Sequence, residues 1–76
     1  MKTEIDAVYQ ELLRQADEVW GQVNKPDYEN HTLKLTHPEL PGHELVFTVT
    51  ENCRITMKHF SAGALLSSKF VKLAEL

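Results

Sequence analysis

The chain has 76 residues, of which 42% are hydrophobic and 25% charged, and its formal net charge is −3. This length and composition predict a single folded domain (residues 1–76) and exclude a disordered segment, and no apolar run approaches the length of a membrane span. The single cysteine, Cys53, excludes an internal disulfide, which favours a reducing, cytoplasmic location.

The charge is divided unevenly along the chain. Residues 1–30 sum to −4 and residues 31–76 to +1, and the second part holds all four histidines. A nucleic-acid-binding protein is expected to carry a strongly basic patch, and none is present here. The charge pattern therefore favours a protein partner.

The first predicted element is a helix from about Glu4 to Val23. Its apolar residues recur at steps of three and four, the spacing of one helical face. Pro26 cannot continue the helix, so residues 24–30 are predicted to form a loop. The members of the predicted apolar face are Ile5, Tyr9, Leu12, Ala16, Val19 and Val23.

One flank of this helix carries large apolar residues beyond the core face. Leu13 and Trp20 lie together there, next to Tyr9. Because Trp and Tyr are enriched in interaction hot spots, the flank is predicted to bind a partner or a second copy of the chain. The alternative is that so small a domain uses these residues in its core. The charged rim of this predicted site comprises Glu11, Asp17 and Glu18.

Three strands are predicted in the middle of the chain, over about 31–36, 43–50 and 53–60. Apolar residues alternate along them, which indicates one buried face. The predicted hairpin has a three-residue loop, Thr50 to Asn52, with Asn52 in the left-handed region. The predicted buried residues are Leu33, Leu35, Leu45, Phe47, Val49, Cys53, Ile55 and Met57.

A final helix is predicted from Ala62 to about Glu75, with Ser61 as its N-cap and apolar residues at Leu66, Phe70 and Leu73. The predicted fold is therefore α+β, in the order α-β-β-β-α. A three-stranded antiparallel sheet carries two helices packed on one face.

The opposite face of the predicted sheet is expected to lie in water. Its predicted register sets Glu44 opposite Lys58 and His43 opposite His59, and no aromatic residue points outward in mid-strand. The lack of an aromatic argues against base stacking. The expected exposed residues are Thr32, Lys34, Thr36, Glu44, Val46, Thr48, Arg54, Thr56 and Lys58.

No motif for catalysis, metal binding or cofactor binding stands out. His43 and His59 could share a metal or form a pH-sensitive pair, but a zinc site needs three or four ligands. A buried Cys53 would be a poor nucleophile. We therefore expect no enzyme activity, no metal and no cofactor.

The element order resembles that of the double-stranded-RNA-binding domain, with Pro26-Asp27-Tyr28 and Pro41-Gly42-His43 similar to segments of that family. The family begins its second helix with a lysine cluster that contacts phosphates, whereas this chain has apolar residues there. If the fold is shared, the resemblance implies protein binding more than RNA binding.

The sequence thus predicts a small intracellular protein that binds another protein through its acidic helix, as an adaptor, an antitoxin-like partner or a phage- or plasmid-type inhibitor. A homodimer is compatible with the same flank, and no membrane association is expected. The alternative is a nucleic-acid-binding module that uses Lys34, Arg54, Lys58, Lys69 and Lys72.

Overall fold

One helix and five strands make up the chain in the computed structural model, which describes residues 2–21 and 23–75. The strands form a single antiparallel sheet in chain order, β1-β2-β3-β4-β5, and α1 packs mainly against β1, β2 and β3. The elements are α1 (Lys2–Trp20), β1 (Val23–Asp27), β2 (Thr32–Thr36), β3 (His43–Val49), β4 (Ile55–Ser61), β5 (Ala64–Val71) and a 3₁₀ turn (Leu73–Glu75).

The predicted α-β-β-β-α order and three-stranded sheet are wrong, although the broad α+β class is confirmed. The three predicted strands correspond to β2, β3 and β4, and two further strands flank them. Residues assigned to a second helix form β5, and residues assigned to a loop form β1. The resemblance to the double-stranded-RNA-binding domain fails with the predicted order.

The turn before β5 explains why no second helix forms. Ala62 and Gly63 both have positive φ, 50° and 84°, which is the conformation of a two-residue turn between antiparallel strands. Ser61 therefore pairs with Ala64 across a hairpin and does not cap a helix. Leu66 and Phe70 lie four residues apart, which is a helical spacing. They are 56% and 62% exposed, so this spacing does not mark the buried face of a helix.

The helix ends three residues earlier than predicted. Gly21 has a φ of 76° and its N–H donates to the carbonyl of Asp17 at 2.9 Å, which is a common way to terminate a helix. Val19 is 53% exposed, so its assignment to the buried apolar face is wrong, whereas Trp20 packs against the core. Within the described residues, no helix combines the length and apolarity that a membrane span requires.

The core lies between α1 and one face of the sheet. The predicted alternation along β2, β3 and β4 is confirmed in its main members, because the buried residues of these strands share that face. The buried apolar residues are Tyr9, Leu12, Ala16, Leu33, Leu35, Leu45, Phe47, Val49 and Ile55.

The β3–β4 hairpin keeps the predicted faces but shifts the register. Thr50 N–H donates to the carbonyl of Arg54 at 2.7 Å, so the loop is residues 51–53 and the left-handed residue is Cys53, with a φ of 58°. Glu44 pairs with Phe60 instead of Lys58. Because the pairing moves by two residues, each side chain stays on its predicted face.

Candidate protein-binding site

The sheet has a covered half and an uncovered half. Because α1 packs mainly on β1 to β3, the α1 side of β4 and β5 lacks a full second layer. Every residue of β5 from Ala64 to Phe70 is exposed, and Val71 is half-buried. β5 is thus a long strand that the rest of the described chain does not bury.

The outer edge of β5 offers backbone groups to another strand. β5 pairs with β4 on one side, and no described residue pairs with its other side. Natural edge strands are usually protected by charge, proline, shortness or irregularity. β1, at the opposite edge, has five residues, an irregular register and Pro26. β5 has eight residues, one charged side chain, Lys69, and a single register shift near its start, so a regular segment from Ser67 to Val71 remains.

Large apolar side chains surround this edge. Leu65, Leu66 and Phe70 are 54%, 56% and 62% exposed. Leu65 pairs with Phe60 and Phe70 with Thr56, so both lie on the sheet face opposite α1. The Arg54 guanidinium carbon lies 5.6 Å from the centre of the Phe70 ring, a cation–π distance. An apolar patch of this kind typically marks an interaction surface.

A groove runs along the other side of β5, between this strand and α1. It contains two neighbouring cavities of about 510 and 390 Å³, both of which are lined in part by Val71. The lining of the larger cavity includes Val8, Ile55 and Leu73, and that of the smaller includes Trp20 and Met57. Apolar surface is therefore accessible on both sides of the same strand.

Tyr9 does not lie on the partner-binding flank that was predicted for α1. Its side chain is 1% exposed, and its hydroxyl donates to the carbonyl of Thr32 at 2.6 Å. Burial raises the pKa of Tyr9 to about 12. Leu13 and Trp20 are partly buried and pack against the core. With Tyr9 inside the core, the flank is not a continuous exposed surface.

The acidic residues of the predicted rim are exposed or half-exposed on α1. Arg14 pairs with Glu11 and, at 3.0 Å, with Glu18, while Asp17 is exposed. Hydrogen bonds from Arg14, and then from Gln15, lower the pKa of Glu11 to about 2. Two of the three rim carboxylates are thus paired within the helix.

The five basic residues of the alternative prediction do not form one patch. Lys34, Arg54 and Lys58 are exposed on the strands or strand ends of the face opposite α1. Lys69 pairs with Met57, which places it on the α1 side, and Lys72 follows β5. The acidic residues of α1 lie on the other side of the sheet, away from Lys34, Arg54 and Lys58.

The predicted histidine pair is in contact, although its members are not directly opposite. His43 Nδ1 and His59 Nε2 lie 2.8 Å apart, and the His37 ring stacks on His59 with centroids 6.3 Å apart. The Trp20 ring meets His37 edge-on. In residues 2–21 and 23–75, no group of three or more His, Cys, Asp or Glu side chains has an arrangement that could hold a metal ion.

Sequence reasoning missed the apolar residues around β5. The pairing of Phe60 with Leu65, and the position of Phe70 on the same face, follow only once β5 is recognised as a strand. The available signal was Gly63 between two runs of strand-compatible residues, since a glycine in a two-residue connection indicates a hairpin. Comparison with protein-family models, with curated proteins and with solved structures finds no match for this chain.

Proposed function

We propose that this protein binds another protein chain by accepting a strand at the outer edge of β5. The supporting observation is an eight-residue exposed edge strand that carries three large exposed apolar side chains and one charge. Strand addition supplies main-chain hydrogen bonds for affinity, and apolar surface on either side supplies specificity. Adaptor, antitoxin-like and inhibitor roles all fit such a module.

The binding surface in this proposal differs from the helix flank that the sequence suggested. Tyr9 is buried in the core, and Arg14 forms ion pairs with two of the acidic residues on α1. On β5, by contrast, the large apolar side chains are more than half exposed, and the outer backbone edge pairs with no described residue.

Selection from a random displayed-peptide library tests the proposal without assuming a partner. We expect enriched peptides to alternate apolar residues, because alternate side chains of an added strand face the same side. Binding should be lost when proline removes an outward amide of β5. Ser67→Pro and Ser68→Pro form a matched pair, since neighbouring amides of a strand point to opposite edges.

The proline variant that retains the native circular dichroism spectrum identifies the outward amide, and the other variant serves as the control for disruption of the β4–β5 pairing. Enriched peptides that bind this folded variant as well as the original chain would contradict the proposal. Peptide binding that is lost on substitution of α1 residues and unaffected by substitutions in β5 would also contradict it.

A second candidate function is binding of single-stranded nucleic acid on the face opposite α1. Phe70 is 62% exposed beside Arg54, and Lys58 lies on the neighbouring strand. Exposed aromatic rings with nearby cations bind bases by stacking. Fluorescence anisotropy with a labelled single-stranded oligonucleotide at low salt should then show binding that Phe70→Ala weakens. No binding at low salt would exclude this candidate.

A further inference from the structure

We infer that the strand added to β5 is β5 of a second copy, so that the protein is a two-fold dimer with one continuous sheet of ten strands. This inference rests on the proposed function and names its partner. Closed two-fold dimers are the commonest assemblies of soluble proteins, and their interface must be self-complementary. The sequence of β5 meets that condition in a register centred on Ser68.

Leu66 and Phe70 lie at equal distances on either side of Ser68. Two antiparallel copies centred on Ser68 set Phe70 opposite Leu66 of the second copy, and Leu66 opposite Phe70. The match is limited to these two residues, because β5 has a register shift between Leu65 and Ser67 that places Leu65 and Val71 on different faces of the sheet. Two apolar side chains that are more than half exposed would thus cover each other, and apolar cross-strand pairs stabilise a sheet.

The single charge of β5 selects the same register. When the two-fold axis passes through Ser68, Lys69 faces Ser67 of the second copy. An axis through Lys69 would oppose two ammonium groups, and an axis through Ser67 would set Lys69 opposite Leu65. Like charges directly opposite each other destabilise a strand pair. Charge and apolar matching therefore agree on Ser68.

A dimer interface needs more contact area than the edge of one strand supplies. A standard interface takes roughly 600–1,000 Å² from each partner, and the chain has a surface of 5189 Å². Backbone pairing alone uses only the edge of the strand. The exposed side chains of Leu65, Leu66 and Phe70 on one side, and the groove beside Val71 on the other, extend the contact to both faces.

Charge substitutions at the two-fold position test both the dimer and its register. Ser68→Lys and Ser68→Asp each place like charges opposite each other, and each should weaken self-association by about fivefold in sedimentation equilibrium. An equimolar mixture of the two variants should recover the association of the original chain, because Lys then faces Asp. Thr36→Lys and Thr36→Asp are matched controls on exposed β2 positions and should leave association unchanged.

The outcomes separate this inference from the proposed function. A chain that stays monomeric at all concentrations, while its selected peptides depend on β5, overturns the dimer and leaves strand addition supported. If both Ser68 variants fold, as judged by circular dichroism, and their association equals that of the original chain, the inference is also overturned. If neither self-association nor peptide binding responds to β5, both ideas are wrong.

Discussion

The two halves of the sheet show what one helix can and cannot cover. β2 and β3 lie under α1 and supply five of the buried core residues, whereas β5 supplies none. Both halves are antiparallel sheet: β2 and β3 pair without interruption, and β4 and β5 pair along their full length with one register shift. Pairing alone therefore does not make a core: in this molecule, stability resides where a second layer covers the strands, and surface for binding remains where it does not.

A matched pair of phenylalanines gives the largest expected contrast between the halves. Phe47 is fully buried and Phe70 is 62% exposed. Phe47→Ala should lower the free energy of unfolding by about 3–5 kcal/mol, because it removes a buried ring and leaves a cavity. Phe70→Ala should change it by less than about 0.5 kcal/mol, as is usual for surface positions. Urea denaturation of monomeric samples measures both, and equal losses would contradict the division into halves.

The buried hydroxyl of Tyr9 gives the next largest effect. Tyr9→Phe removes its hydrogen bond to the carbonyl of Thr32 and should cost about 1–2 kcal/mol of unfolding free energy. Tyr28→Phe is the control, since Tyr28 is 59% exposed and should matter little. Comparable losses from both variants in urea denaturation would argue against the assignment of Tyr9 to the core.

The same hydroxyl predicts a dependence on alkaline pH. The pKa of Tyr9 is raised to about 12 by burial, from an ordinary value of 10.0. Because the unfolded chain loses this proton first, the contribution of Tyr9 is complete below pH 10 and is lost as the pH rises towards 12. The stability difference between the original chain and Tyr9→Phe should therefore shrink over that interval, and a constant difference would contradict the pKa.

The turn that creates β5 gives a smaller effect of the opposite sign. Ala62 has a φ of 50°, a conformation that glycine adopts more easily than alanine. Ala62→Gly should raise the free energy of unfolding by about 0.5–1 kcal/mol and slow amide hydrogen exchange in β4 and β5. Ala64→Gly, within the strand, is the control and should destabilise. A loss of stability from Ala62→Gly would show that the turn has another conformation.

The smallest effect concerns the exposed acidic surface of α1. Hydrogen bonds from Arg14 hold the pKa of Glu11 at about 2, so their contribution is present above the ordinary pKa of 4.5 and is lost as the pH falls to 2. NMR titration should show the pKa of Glu11 rising towards 4.5 in Arg14→Gln, while the thermal midpoint at neutral pH stays nearly unchanged. An unmoved Glu11 pKa would show that Arg14 is not its partner in solution.

The covered half could be predicted from sequence and the uncovered half could not, for one physical reason. Alternation of apolar residues records burial on one face, so it identified the strands that contain Leu33, Phe47 and Ile55. β5 is not buried on either face, so Leu66 and Phe70 were free to follow a helical spacing. β1 lies at an edge and includes Pro26, a residue that favours the prediction of a loop.

The candidate site was predictable only in part. The exposed positions of Lys34, Arg54 and Lys58 follow from the alternation of β2 to β4 and are confirmed. The role of Tyr9 was open between core and interface, because the helical spacing places it on the border of both. Its partner, the carbonyl of Thr32, belongs to the backbone of another element and leaves no trace in the residue pattern.

The chain-order arrangement of the sheet also bears on how the protein is made. Each strand pairs with its neighbours in the sequence, so closing the connections costs little entropy and favours rapid folding. All nine buried core side chains precede residue 56, so the interior can pack before β5 joins the sheet. The strand that we assign to assembly is therefore the one that the interior of the domain needs least.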